Sequence, residues 1–334
     1  MNRILFYVMI GLLIAGCETE DPDFGQIADD ELIYEGVELQ PSTWEKLEMD
    51  SVTYLSFGDI SFYNENVGIL AGFAGFVHIT KDGGQTWRTI DTHRNMTFHC
   101  AYTLNEKTYI VARLGIFKST DEGFTWTACN FPEEISVYNI WFRDSLNGFL
   151  SCSSGTYKTN NAGNNWRKVT GAIAKNLQFT SKDIGYFSYG STDIYKSDSP
   201  VPLNSHGNIY RTTNGGNSWE KLKIEVKEIT GMSFISDKTG FVSTIDGQLY
   251  KTSDGGETCI PVNKKDVFIK ELFFVNENQG FVCTPDGIYI TLDGGYTLIE
   301  EYTVDFYHST YNFEFHSPTV GYAIGHGGLI IKRN

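Results

Sequence analysis

Short apolar segments alternate with polar turns along most of the chain, and the alternation recurs as a repeat. Each repeat has a segment that ends in Phe and is followed by a polar turn closing on Gly, as in Phe62 with Gly68 and Phe142 with Gly148. Strand-length apolar segments between turns rich in Gly, Asn and Asp indicate β-hairpins. No amphipathic helix is predicted beyond the N-terminal segment, so the pattern predicts an all-β protein.

An eight-residue motif ends each repeat and first occurs as TKDGGQTW at residues 80–87. The steps between the third positions of the six motifs are 39, 40, 53, 40 and 39 residues. A period near 40 residues is the length of one four-stranded propeller blade. With a partial unit at residues 311–334, the repeats predict a seven-bladed β-propeller of four-stranded antiparallel sheets. Six blades are the alternative if the second unit, the shortest, is degenerate.

The N-terminal part of this domain is expected to supply the strand that the partial unit lacks. The sequence TWEKL at residues 43–47 matches SWEKL at residues 218–222, which follows a motif. An N-terminal strand that completes the C-terminal blade closes the ring and leaves no free sheet edge there. The predicted propeller domain therefore covers residues 42–334.

The first residues predict export and a membrane anchor. One basic residue, Arg3, precedes an apolar run at residues 4–14, which is too short to span a membrane and indicates a signal peptide at residues 1–16. The following LIAGC resembles a bacterial lipobox, which implies lipidation of Cys17. Residues 17–41 are acidic and predicted to be a flexible tether. We expect a protein at the outer membrane or cell surface that meets the membrane only through its lipid, with a periplasm-facing position as the alternative.

Charge and cysteine content exclude some classes of partner. The net charge of −15, with no cluster of Lys and Arg, argues against nucleic acid as a partner. Cys100, Cys129, Cys152, Cys259 and Cys283 remain after Cys17, so at least one is expected to be a free thiol. Their apolar contexts favour buried thiols, and no spacing typical of metal ligands occurs. No metal or cofactor is predicted.

The eight-residue motifs resemble the Asp-boxes of sialidase-like propellers. In such a turn the Asp or Asn oxygen accepts backbone N–H groups that have no strand partner, and the Trp anchors the hairpin. Asn at two of the six positions argues against acid catalysis, which needs a titrating group. A structural role is therefore predicted for Asp82, Trp87, Asp121, Trp126, Asn161, Trp166, Asn214, Trp219, Asp254 and Asp293.

A ligand is expected on the opposite face of the disc, where the turns between second and third strands meet the connections between blades. An insertion at residues 191–207 accounts for the long step of 53 residues and lies on that face. The candidate ligand-face residues are Phe73, Arg94, Arg113, Tyr195, His206, Asp246, Asp286 and His326.

The repeats as a whole resemble the photosystem II assembly and stability factor propellers and their relatives in non-photosynthetic bacteria. The photosynthetic members bind an unassembled protein subunit through a basic patch, whereas this chain has only Arg94 and Arg113 to place on that face. We therefore predict a non-catalytic, monomeric, lipid-anchored scaffold that binds a protein partner.

A glycan-binding propeller or a sialidase-like glycoside hydrolase is the alternative. The arginines Arg88, Arg167 and Arg211 lie beside Asp-boxes, on the wrong face for a sialidase site. A two-carboxylate hydrolase would need a pair such as Asp246 and Asp286. The sequence does not choose between a protein and an extracellular glycan as the ligand.

Overall fold

The structure, a computed structural model, describes residues 38–39, 41–42, 44–49, 57–131, 135–189, 206–264, 267–304 and 310–333. Within these ranges the helical elements are two 3-10 turns, Phe73–Gly75 and His326–Gly328, and all other regular structure is β-strand. No helix in this part of the chain has the length and hydropathy needed to cross a bilayer. The all-β prediction is confirmed.

The strands form seven antiparallel sheets, which we number as blades in chain order. The N-terminal strand is β1 (Trp44–Lys46). Blade 1 contains β2 (Asp59–Phe62), β3 (Gly68–Ala71), β4 (Phe76–Thr80) and β5 (Arg88–Asp91). Blade 2 contains β6 (Cys100–Thr103), β7 (Tyr109–Ala112), β8 (Ile116–Ser119) and β9 (Thr127–Ala128). Blade 3 contains β10 (Val137–Phe142), β11 (Gly148–Cys152), β12 (Gly155–Thr159) and β13 (Arg167–Thr170).

The remaining blades continue around the ring. Blade 4 contains β14 (Lys175–Phe179), β15 (Gly185–Tyr189), β16 (His206–Thr212), β17 (Glu220–Lys221) and the added β18 (Val226–Lys227). Blade 5 contains β19 (Ile229–Phe234), β20 (Gly240–Thr244), β21 (Gln248–Thr252) and β22 (Ile260–Lys264). Blade 6 contains β23 (Glu271–Phe274), β24 (Gly280–Thr284), β25 (Gly287–Thr291) and β26 (Ile299–Thr303). Blade 7 contains β27 (Thr310–Phe315), β28 (Gly321–Gly325) and β29 (Ile330–Arg333).

The N-terminal strand closes the ring as predicted. Strand β1 pairs antiparallel with β29, with Trp44 opposite Arg333 and Lys46 opposite Ile331. Blade 7 is thereby a complete four-stranded sheet in the order β1-β29-β28-β27. The seven-bladed prediction is confirmed, and the six-bladed alternative is wrong because the second unit forms a full sheet.

The repeated Phe and Gly form one packing unit within a blade. Phe62 lies opposite Gly68 in the register of β2 and β3, and a Cβ at Gly68 would lie 2.7 Å from the Phe62 ring. The glycine therefore makes room for the ring, a role beyond the turn that the sequence suggested. In blades 1, 4, 5, 6 and 7 the ring also stacks on an aromatic residue from the second strand of the preceding blade, as Phe62 does on Tyr322 at 3.8 Å. These stacks join neighbouring blades.

Blade 2 departs from this pattern at the boundary, or seam, with blade 1. Its first strand ends in Thr103 instead of Phe. The Thr103 N–H donates to Ser61 Oγ at 3.0 Å, and its hydroxyl donates to the Ser61 carbonyl at 2.8 Å. Buried polar hydrogen bonds thus take the place of the aromatic stack at this seam.

Packing starts inside the segment predicted to be a tether. Leu39 is 1% exposed, and its N–H donates to Gln279 Oε1 of blade 6 at 3.0 Å. The packed domain therefore includes Leu39, earlier than the predicted boundary at residue 42. Residues 1–37, with the predicted signal peptide and Cys17, lie outside the described residues. The five remaining cysteines form no disulfide within the described residues, and Cys100, Cys152 and Cys283 are buried.

Candidate functional site

The six Asp-boxes connect the third and fourth strands of blades 1–6 and act as hydrogen-bonded turns. In the first box, Thr86 donates its N–H to Asp82 Oδ1 at 2.8 Å and its hydroxyl to Asp82 Oδ2 at 2.6 Å. Burial alone would raise the pKa of Asp82, but hydrogen bonds from Thr86 and Thr80 outweigh it and lower the pKa. An ionised acceptor is suited to holding a turn and has no proton to donate as a general acid. The same contacts surround Asp121, Asp254 and Asp293.

Two of the Asp-boxes have Asn in place of Asp, which keeps the side-chain oxygen acceptor but carries no charge. Asn161 Oδ1 accepts the Asn165 N–H at 3.0 Å, and Asn214 Oδ1 accepts the Ser218 N–H at 3.0 Å. A Trp at the end of a box packs edge-on against the Phe of its own blade, with centroid distances of 6.2 Å for Trp87, 6.0 Å for Trp166 and 5.8 Å for Trp219. Trp126, in the blade without that Phe, donates its indole N–H to the Gly123 carbonyl at 3.0 Å.

Lys and Arg side chains next to one Asp-box bind the Asp-box of the next blade. The sequence analysis did not predict these contacts. Lys118 Nζ donates to the Ala162 carbonyl, and Lys158 Nζ donates to the Gly215 carbonyl, both at 2.7 Å. On the same face Arg88 donates to the Glu122 carbonyl, and Arg211 pairs with Glu257 at 2.9 Å. Arg167 is exposed. This face therefore uses its cations mainly to join blades.

The opposite face carries the candidate ligand residues that the structure describes. Phe73 lies in the turn between β3 and β4, and Arg113 lies between β7 and β8. Asp246, Asp286 and His326 occupy the equivalent turns of blades 5, 6 and 7, and His326 is exposed. Arg94 lies in the connection from blade 1 to blade 2. The exposed His206 begins β16, whereas Tyr195 and most of the insertion lie outside the described residues.

Three of these candidates, Phe73, Arg94 and Arg113, lie on contiguous loops. The connection that carries Arg94 packs against the Phe73 turn at Gly75, where φ is +87°. A Cβ at Gly75 would lie 1.8 Å from the Arg94 carbonyl oxygen. Arg113 in turn donates to the Thr97 carbonyl at 3.5 Å. Arg94 also lies over the Phe117 ring at 4.7 Å. Glycine at position 75 is therefore required for this arrangement of loops.

Large apolar side chains on the neighbouring loops and strand ends face solvent. The exposed fractions are 52% for Phe73, 61% for Leu114 and 49% for Tyr138. Tyr138 stands at a register shift between Val137 and Asn139, where the Val137 N–H donates to the Arg113 carbonyl at 2.6 Å. We call Phe73, Arg94, His99, Arg113, Leu114 and Tyr138 the blade 1–3 sector. Sequence reasoning missed Leu114, Tyr138 and His99.

The blade 1–3 sector carries the positive charges of Arg94 and Arg113. Within the residues that the structure describes, neither Arg94 nor Arg113 forms an ion pair. The side chain of His99 is neutral at physiological pH, because burial and then the positive charge of Arg113 lower its pKa. The nearby His93 lies 3.4 Å from Asp91, which supplies a negative charge at the edge of the sector.

The carboxylates that could have formed a hydrolase pair are each held by local contacts. Asp246 pairs with Lys227 at 2.8 Å and accepts the Thr244 hydroxyl at 2.7 Å. Burial raises the pKa of Asp246, but these two partners outweigh it and lower the pKa. Asp286 accepts the Thr284 hydroxyl in the same way. Both aspartates thus serve as turn acceptors.

A cavity of about 310 Å³ runs through the centre of the disc and is lined by the first strands of all seven blades. Three carboxyl groups line it, from Asp59, Glu271 and Glu314. Burial raises the pKa of Asp59 to about 7 and that of Glu271 to about 8. Burial and the charge of Asp59 raise the pKa of Glu314 well above its usual value. Sequence reasoning missed this cluster.

Among the described residues, no group of three or more His, Cys, Asp or Glu side chains has the geometry to hold a metal ion. The arrangement presents two distinct chemical surfaces, an acidic channel and the blade 1–3 sector.

Comparison with solved structures identifies similar propellers. A structure of YCF48 bound to D1 peptide is 19% identical with a TM-score of 0.68, and the match covers 89% of this chain and 98% of that chain. YCF48 from Cyanidioschyzon merolae is 17% identical with a TM-score of 0.66, over 88% of this chain and 99% of that chain. The Niastella koreensis GH74 enzyme is 13% identical with a TM-score of 0.60, over 83% of this chain and 51% of that chain. At these identities the likeness concerns the fold.

Sequence comparison gives a more specific result. No curated protein matches the chain significantly. The sequence model described as photosynthesis system II assembly factor YCF48, in contrast, matches residues 37–334, which begin just before the buried Leu39 and end with the chain. The chain belongs to the photosynthesis system II assembly factor YCF48 family.

Proposed function

We propose that the protein is a non-catalytic, lipid-anchored scaffold of the cell envelope that binds a protein partner on the blade 1–3 sector. The observation that carries this proposal is the exposure of Phe73, Leu114 and Tyr138 on three neighbouring blades, whose loops also carry two guanidinium groups that form no ion pair with a described residue. Exposed aromatic and aliphatic side chains beside arginine are typical of the centres of protein interfaces. The fold likeness to YCF48 bound to D1 peptide supports a peptide segment as the ligand.

The partner segment is expected to carry apolar side chains and carboxylates. The protein has a net charge of −15, so a negatively charged segment is repelled by most of its surface and attracted to the unpaired Arg94 and Arg113. Arg113 and Leu114 are adjacent in one turn, so a segment that covers the apolar surface also reaches a guanidinium group.

A hydrolase is not proposed, since Asp246 forms an ion pair with Lys227 and accepts a hydrogen bond from Thr244.

Replacing Leu114 with Ser should weaken peptide binding about tenfold without changing the free energy of unfolding, because an exposed anchor contributes to the interface and not to the core. The matched control is Leu146→Ser, which removes a leucine of similar exposure, 53%, on the Asp-box face. The probes are short peptides with aromatic, aliphatic and Asp or Glu residues, and the readout is fluorescence anisotropy.

A second peptide set, in which Lys replaces every Asp and Glu, tests the role of charge. These peptides should bind more weakly than the acidic set, and Arg113→Ala should reduce the difference. Equal binding by Leu114→Ser and Leu146→Ser would contradict the proposed site. Binding of neutral oligosaccharides that Leu114→Ser abolishes, with no peptide binding, would instead favour the glycan alternative.

The lipid anchor rests on the LIAGC sequence at residues 13–17. Full-length protein expressed in a bacterial host should incorporate an alkyne-labelled fatty acid and sediment with membranes, whereas Cys17→Ser should lose the label and become soluble. Retention of the label by Cys17→Ser would contradict lipidation at this residue.

A further inference from the structure

Side-chain hydrogen bonds join the first strands of neighbouring blades around the central channel. At the seam of blades 5 and 6, Ser233 Oγ accepts the Phe274 N–H at 2.9 Å. At the seam of blades 4 and 5, Gln178 Nε2 donates to the Phe234 carbonyl at 3.1 Å. These seams use neutral groups, so their hydrogen bonds do not depend on pH.

Three consecutive seams use carboxyl groups for the same purpose. Glu271 Oε2 accepts the Phe313 N–H at 3.1 Å between blades 6 and 7, and Glu314 Oε2 accepts the Phe62 N–H at 2.9 Å between blades 7 and 1. Asp59 Oδ2 accepts the Ala101 N–H at 2.9 Å between blades 1 and 2. Two of the carboxyl seams therefore flank blade 7, where the ring closes, and the third lies between blades 1 and 2.

The three carboxyl groups lie in one cavity of about 310 Å³ whose described lining residues include no Lys, Arg or His. Asn312 Nδ2 donates to Asp59 Oδ1 at 2.8 Å and adds a neutral contact. Like charges confined in a low-dielectric space repel one another, and no cation compensates them here. Protonation removes that repulsion, and a protonated carboxyl group still has oxygen to accept the backbone N–H.

We propose that Asp59, Glu271 and Glu314 form a proton-operated latch, in which protonation holds the three seams between blades 6, 7, 1 and 2 closed and ionisation loosens them. The other titratable side chains packed against these groups are Cys100 and Tyr102 of β6, Cys283 opposite Glu271, and Tyr322 opposite Glu314. Burial raises the pKa of Cys100, Tyr102 and Tyr322, so these three stay neutral near neutral pH.

The sign of the effect follows from the pKa values. The pKa of Asp59 rises from 3.8 to about 7 and that of Glu271 from 4.5 to about 8 on folding. The folded protein therefore binds more protons than the unfolded chain, and stability is lost as pH rises through 7 to 8. Buried His78 acts in the opposite direction, mainly below about pH 7, because burial lowers its pKa from 6.5 to about 4, and burial also lowers the pKa of His99 and His316. Because burial also raises the pKa of the Cys100 and Cys259 thiols, comparison of carboxyl variants with the wild-type protein isolates the carboxyl groups.

Urea unfolding at pH 6.5 and pH 8.5 tests the latch. The unfolding equilibrium constant of the wild-type protein should be at least tenfold smaller at pH 6.5 than at pH 8.5. Glu271→Gln keeps an oxygen acceptor for the Phe313 N–H but cannot ionise, so the pH effect should fall to about threefold. Glu314→Gln should have a similar effect and serves as the second variant if one does not fold.

Ser233→Ala is the matched control, since it breaks a neutral seam bond and should lower stability equally at both pH values. A wild-type constant that is unchanged or larger at pH 6.5 would overturn the proposal. So would a full tenfold effect in both glutamine variants. The test does not involve peptide binding, so its outcome is independent of the proposed function.

Discussion

Glu301→Gln should lower the free energy of unfolding by about 3–5 kcal/mol, because it leaves a buried guanidinium without its counter-charge. The side chains of Glu301 and Arg333 are 0% and 3% exposed, and Arg333 Nε lies 3.1 Å from Glu301 Oε2. The same carboxylate accepts the Trp44 indole N–H at 3.0 Å and the Ser42 N–H at 2.9 Å. Glu301 of blade 6 therefore binds both the N-terminal and the C-terminal strands that close the ring.

Urea unfolding of three further variants separates the ion pair from general effects. Glu300→Gln changes the exposed neighbouring residue and should alter stability by less than about 0.5 kcal/mol. Glu301→Leu combined with Arg333→Met should be more stable than Glu301→Gln, since no buried charge remains. If Glu301→Gln and Glu300→Gln had equal effects, the role of Glu301 in closing the ring would be refuted.

Phe274→Ala should lower the free energy of unfolding by about 3–5 kcal/mol, through loss of buried apolar surface and creation of a cavity. Phe274 is 2% exposed and stacks on Phe241 of the preceding blade at 3.6 Å. The control Phe124→Ala removes a ring that is 71% exposed on the Asp-box face, and should change stability by less than about 0.5 kcal/mol. Chemical denaturation measures both, and a small loss for Phe274→Ala would show that the inter-blade stacks do not hold the ring.

Blade number and ring closure could be predicted from sequence because both follow from local, repeated signals. An Asp-box needs only eight neighbouring residues, and one turn such as residues 80–87 contains its own hydrogen-bond donors and acceptors. The match between residues 43–47 and 218–222 likewise marks the N-terminal strand as part of a blade. Such features do not depend on how the blades are arranged around the ring.

The channel and the blade 1–3 sector could not be predicted, because both depend on contacts between distant parts of the chain. Asp59 and Asn312 come into contact only when the ring is closed. Nothing in the strand sequences DISF (residues 59–62) and NFEF (residues 312–315) shows which side chains face the channel. Tyr138 is exposed because a register shift turns it out of a strand that otherwise looks regular. Leu114 looks like an isolated turn residue until Phe73 and Tyr138 are seen on the adjoining blades.

Hydrogen exchange with the tightest-binding acidic peptide tests the central claim, that a protein segment docks on the blade 1–3 sector. The peptide should slow exchange in the turns that contain Phe73 and Leu114 and at the start of β10 near Tyr138, while the Asp-box turns remain unchanged. Protection of the Asp-box turns instead, or equal protection in Leu114→Ser, would contradict the account.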